Sequence, residues 1–224
     1  MTRKTNKDIT GFSLIELLIS MTVMLMLLGI VSSVLYRAVG IRTRESRRTD
    51  ALTSAQAALN LMSREIANSG FGIYDDSLTK NSNNGIIESD TDGAQIHFRT
   101  HINNTGPGPI NPTCPTICTN QPGEDVTYFW DAPTSSIVRY DPNADPQTSV
   151  VVNKISQVSF VYYNYDPTTG AVTTGPPTNS TGRIQLTVDV TLDPVSGEPN
   201  APYSSVKFTS EINLRNSNYM LHQY

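Results

Sequence analysis

The chain has only two cysteines and three histidines in 224 residues. So few cysteines exclude a disulfide-dense scaffold and a four-cysteine zinc module. Charge is also scarce, at 16% of residues against roughly 25% in an ordinary soluble protein. No proline occurs before Pro107, so nothing in the long N-terminal stretch forces a helix to break. Gly and Pro, 14 of each, are at their usual share, which rules out collagen-like repeats and gross disorder. The motifs G-x-S-x-G and H-E-x-x-H are missing, and so is a phosphate-binding glycine loop. With no residue set to carry a reaction, the chain reads as a non-enzyme with no cofactor.

The net charge of -4 conceals a division along the chain. Arg3, Lys4 and Lys7 against Asp8 make the first eleven residues +2. Residues 37–65 hold six arginines against three acids, a local +3. Residues 66–224 hold seven bases against fifteen acids, a local -8. Phosphate contacts need Lys and Arg, so no direct nucleic-acid binding is expected of that acidic part.

From Phe12 to Tyr36 runs an apolar stretch whose single charge is Glu16. At about 1.5 Å per residue it makes a helix of roughly 37 Å, enough to cross a hydrocarbon core of about 30 Å with some tilt. A secretory signal peptide has a shorter apolar core, followed by a small-residue cleavage site. Here the small residue placed like a processing site, Gly11, precedes the apolar run. The basic leader places the N-terminus in the cytoplasm, whereas Arg37, Arg42, Arg44, Arg47 and Arg48 beyond the span vote the other way.

A carboxylate inside a bilayer costs on the order of 3 kcal/mol on insertion scales, so Glu16 needs a partner. A cut between Gly11 and Phe12 would put a new amine on Phe12, one helical turn before Glu16. Opposite charges would then meet at the membrane edge, within one chain or between neighbours. Gly11-Phe12-Ser13-Leu14-Ile15-Glu16-Leu17 after a short basic leader resembles the class III signal of type IV pilins and type II secretion pseudopilins. The resemblance implies that prepilin peptidase cuts after Gly11 and that the new N-terminal residue, Phe12, is methylated. It also implies that Glu16 pairs with a neighbouring subunit's amine during assembly.

Beyond Tyr36 the pattern stays helical. Leu52, Ala55, Leu59, Met62 and Ile66 recur at spacings of three and four, an apolar seam expected to carry a globular domain. The helix is expected to stop near Ser69, where Gly70 and Gly72 can take the left-handed conformation. The period then changes to that of strands, predicted over 94–100, 125–130, 136–140, 155–165, 183–192 and 204–214. The second and third read as a hairpin. Segments 75–93, 102–124, 141–149, 166–182 and 193–203 read as loops. Strands with no helices between them favour antiparallel sheet. The fold class is therefore α+β, a long N-terminal helix packed by its second half on an antiparallel β-sheet domain.

This order also resembles a pilin, and Ala51 to Gly72 is similar to PilW-like minor pilins and J-type minor pseudopilins. The resemblance divides the chain into a cleaved leader (1–11), a transmembrane assembly helix (12–36), its amphipathic continuation (37–72) and a β-rich domain (73–224). It implies a low-abundance structural subunit of a type IV pilus or related filament, held in the inner membrane with its domain in the periplasm before assembly. Its partners would be other major and minor pilins or pseudopilins, prepilin peptidase and the inner-membrane assembly platform. The alternatives are a pseudopilin of type II secretion and a binding module displayed by the anchor for surface adhesion or DNA uptake.

Cys114 and Cys118 form a C-x3-C in a proline-bounded loop. Outside the cytoplasm a disulfide is the expected state, and closing so small a loop stiffens a turn more than it stabilises the domain. His97, His101 and His222 show no zinc-like spacing with this pair, so no metal site is expected. Two oxygen-rich stretches, 88–93 and 141–145, lack the continuation of a calcium loop and read as Asp/Asn turns. Phe129, Trp130, Tyr162, Tyr163 and Tyr165 alternate on strand faces, as packing residues do.

Overall fold

The computed structural model describes residues 13–73, 84–102, 119–166, 168–192 and 204–217. The chain divides into two compact units, residues 1–47 and 48–224. Helix α1 runs over Leu14–Ala67, 54 residues, ending two residues before the expected stop at Ser69. Gly70 and Gly72 follow it with φ of 75° and 72°, the left-handed geometry expected of the helix stop.

In the first unit, every described residue from Ser13 to Val39 is exposed, the large apolar side chains included. Burying a side chain of this size is worth roughly 1.5 to 3 kcal/mol. A helix that leaves so many uncovered is built for a bilayer or for other helices.

Among the described residues the second unit holds eight strands: β1 (Gln95–Arg99), β2 (Asp125–Asp131), β3 (Ser136–Tyr140), β4 (Thr148–Asn153), β5 (Ile155–Tyr165), β6 (Val172–Gly175), β7 (Thr181–Leu192) and β8 (Ser204–Asn213). They form two four-stranded antiparallel sheets, ordered β1-β2-β3-β4 and β6-β5-β7-β8. The expected hairpin is present as β2 and β3, with Phe129 opposite Val138. β4 and β6 correct the sequence reading, which left their residues in or beside loops. β4 begins inside a Pro- and Asp-rich stretch, and β6 is four residues long and fully exposed. Each lies at a sheet edge, where pairing to one neighbour rather than alternation of its own makes the strand. The chain passes between the sheets at Lys154, whose φ of 62° turns it within a single residue from β4 into β5.

The seam on α1 packs into this unit. Ala55, Leu59, Met62 and Ile66 are buried and Leu52 partly so, with Ala58 joining them. They share one core with Ile96 and Tyr128 of the first sheet and with Leu186 and Val188 of the second. β7 shows the strand period plainly: Ile184, Leu186, Val188, Val190 and Leu192 are buried and the residues between them are not. Polar contacts pin the helix to both sheets. The Tyr128 hydroxyl donates to Glu65 at 2.7 Å, and the Ser63 and Ser210 hydroxyls lie 3.0 Å apart.

The helix end is knitted to the sheets through its turn. Gly70 N–H donates to Arg99 C=O, Arg99 N–H donates to Gly85 C=O, and the buried Ser69 hydroxyl donates to Asn84 C=O. Gly85 has φ of 76°, and a Cβ there would stand 2.2 Å from Gly70 N, so only glycine fits.

Candidate functional site

The first candidate is the N-terminal segment. Gly11 and Phe12, the expected cleavage and methylation residues, lie outside the described residues, as do Cys114 and Cys118. Glu16 is described. It sits in the first turn of α1, exposed, with its N–H donating to Ser13 C=O at 3.0 Å and its own C=O accepting from the Ser20 hydroxyl at 2.7 Å. A carboxylate there faces the positive end of the helix dipole. Among the described residues its side chain makes no ion pair or hydrogen bond, which leaves it available to a cation from outside the helix. The same helix is long and apolar enough to cross a membrane.

The second unit holds three charged clusters, none of which sequence reasoning assembled. In the first, Glu65 on α1 accepts from Tyr128 on β2 and from Arg139 Nε on β3, the latter at 3.1 Å, while Arg139 Nη1 donates to Asp141 at 3.2 Å. Burial, reinforced by the nearby Glu65 carboxylate, holds the Tyr128 hydroxyl far above its ordinary titration range. Burial works against the Arg139 charge, but Glu65, with help from Tyr128 and Asp141, outweighs it and leaves the guanidinium above its usual value. The adjacent Arg64-Glu65 and Arg139-Tyr140 pairs were visible in the sequence, but nothing local links residues 74 positions apart.

In the second cluster, His97 Nδ1 lies 2.8 Å from Asp90 Oδ2 and Nε2 lies 2.5 Å from Asp125 Oδ1, which also accepts from Arg99 through its other oxygen. In the third, His101 Nδ1 lies 3.5 Å from the fully buried Glu124. The two oxygen-rich stretches prove to be turn caps. Asp141 accepts from the N–H groups of Gly123 and Asn143, and Asp92 from those of Ala94 and Gln95. Among the described residues no group of three His, Cys, Asp or Glu is placed to hold a metal ion. Of the five aromatics expected on strand faces, Tyr162 is buried and Phe129, Trp130, Tyr163 and Tyr165 are half-buried, with the Arg183 guanidinium 4.1 Å from the centre of the Tyr163 ring; Tyr128, outside that set, stacks with Phe98 at 6.2 Å between centroids. These clusters join elements to one another, and none lines up a nucleophile with a base.

Residues 6–32 match the family model described as the prokaryotic N-terminal methylation motif. This is the class III signal of type IV pilin-like and pseudopilin precursors, which prepilin peptidase processes, and it supports a place in that superfamily. No curated protein and no solved structure matches the chain.

Proposed function

We propose that the chain is the precursor of a low-abundance structural subunit of a type IV pilus or related filament. Prepilin peptidase cuts it between Gly11 and Phe12, Phe12 is methylated, and the subunit joins other pilins through the exposed part of α1. The observation that carries this reading is the methylation motif at residues 6–32, which takes in the start of α1 and of the apolar run 12–36, whose one acid, Glu16, is exposed and stands four residues past Phe12. The likeness of residues 51–72 to PilW-like minor pilins and J-type minor pseudopilins supports the minor role. The role is structural: the charged clusters of the second unit tie its helix and sheets together.

N-terminal mass analysis of the chain from cells with a working prepilin peptidase tests the reading. The expected product starts at Phe12 and carries a methyl group. Gly11→Leu should leave the leader attached. An intact Met1 end in those cells overturns the proposal.

A further inference from the structure

The arginines that follow the apolar run have no part in the role just proposed. Arg37, Arg42, Arg44 and Arg47 lie in one unbroken stretch of α1, with Glu45 as the only acid among them. Seven residues at about 100° each bring Arg44 within about 20° of Arg37 around the helix, and Arg47 stands about 60° further round. These three therefore share one face, and Arg48, about 20° from Arg37 on the other side, lies on it too. Arg37 and Arg47 are exposed and Arg44 is half-exposed. Among the described residues none of them makes an ion pair, whereas Arg99, Arg139 and Arg183 in the second unit all do.

Arginines on the C-terminal side of a span with a cytoplasmic leader oppose the usual bias of basic residues toward the cytoplasmic side. A basic stripe that runs against that bias and makes no ion pair among the described residues calls for an outside anion. Its position indicates which one. Arg37 follows Tyr36, the last residue of the apolar run, and the ten steps from Arg37 to Arg47 rise about 15 Å along the helix. That span covers the headgroup layer and the zone about one Debye length beyond it. Guanidinium groups match phosphate oxygens in bidentate geometry, and their stems can lie along the helix with the charged ends in the headgroups.

We propose that Arg37, Arg44 and Arg47 form a binding stripe for anionic phospholipid headgroups in the leaflet on the C-terminal side of the span. The stripe holds the subunit at a fixed depth until it leaves the membrane. The inference rests on the reading of α1 as membrane-spanning, and it adds the chemistry of the lipid.

The test uses the full-length chain reconstituted in phosphatidylcholine vesicles carrying either spin-labelled phosphatidylglycerol or spin-labelled phosphatidylcholine. The association constant of the first label relative to the second is then measured by electron spin resonance. Wild type should favour phosphatidylglycerol, with the preference weakening as salt is added. Each of Arg37→Gln, Arg44→Gln and Arg47→Gln should reduce it, by up to about five-fold per residue, and the triple variant, which keeps Arg42 and Arg48, should lose most of it. A triple Arg→Lys variant should keep most of the preference. An equal preference in wild type and the triple Gln variant overturns the proposal. So does a wild type with no lipid preference whose arginines are engaged only when an acidic pilin-like domain is added. Flotation separates the two levels of argument. A chain that does not float with the vesicles removes the membrane reading and this inference together, while one that floats without lipid preference removes this inference alone.

Discussion

Glu16, Tyr128 and Tyr162 show how one side chain's surroundings set its work. Glu16 is exposed on the apolar helix and is remote in sequence from the sheets, so Glu16→Ala should leave the melting of the second unit unchanged. If Glu16 pairs with a neighbour's amine in the proposed assembly, the variant should also lower incorporation into filaments. Quantitative immunoblots of sheared filaments check this, and equal incorporation contradicts the pairing role. Tyr128 and Tyr162 are held protonated by burial first, and then by Glu65 and Asp92 respectively. Both folded-state values are raised, so their contribution is fully present below the ordinary tyrosine value near 10 and is lost as pH rises beyond it. There the unfolded chain releases protons that the folded chain keeps. Stability should fall by about 1.4 kcal/mol per pH unit for each of the two. Tyr162→Phe should remove one of these two shares, and urea melts along the alkaline limb measure it. Parallel curves for the two proteins would refute the assignment.

At the scale of elements, the apolar seam of α1 from Ala55 to Ile66 is buried in the core it shares with both sheets. Leu59 is 3% exposed and Asn60, one position round, is exposed. Leu59→Asp places an unpaired carboxylate in the core and should cost more than about 4 kcal/mol, whereas Asn60→Asp should be nearly silent. Thermal melts of a fragment beginning at Arg48 compare the two. If Leu59→Asp melts like wild type, the packing of the helix seam on the sheets is wrong. The edge strands β4 and β6 carry the opposite lesson. By sequence pattern alone the β6 residues and the start of β4 belong to loops, since a short edge strand owes its conformation to the strand beside it.

For the whole molecule, the two units ask for different surroundings. The first exposes the apolar run of α1, and the second gathers most of its described large apolar side chains in one core that takes in α1 and both sheets. The fragment Arg48–Tyr224 should therefore be soluble and monomeric, while any chain retaining residues 13–47 should need detergent. Size-exclusion chromatography with light scattering separates these outcomes. A fragment that aggregates without detergent would show that its core needs residues before Arg48.

Features that rest on neighbours along the chain were legible in the sequence. The membrane-length run, the acid four residues past Phe12, the helix seam, the glycine stop and six of the eight strands all follow from period and local chemistry, which act over a few residues. The division into two sheets and the pairing of β5 with β7 did not follow, nor did the union of Glu65 with Tyr128 and Arg139 or the bridge from Asp90 through His97 to Asp125. Each joins residues from separate elements. Such partners are chosen by which packing buries the apolar faces together and leaves no buried charge alone, a balance that exists only once the chain has folded.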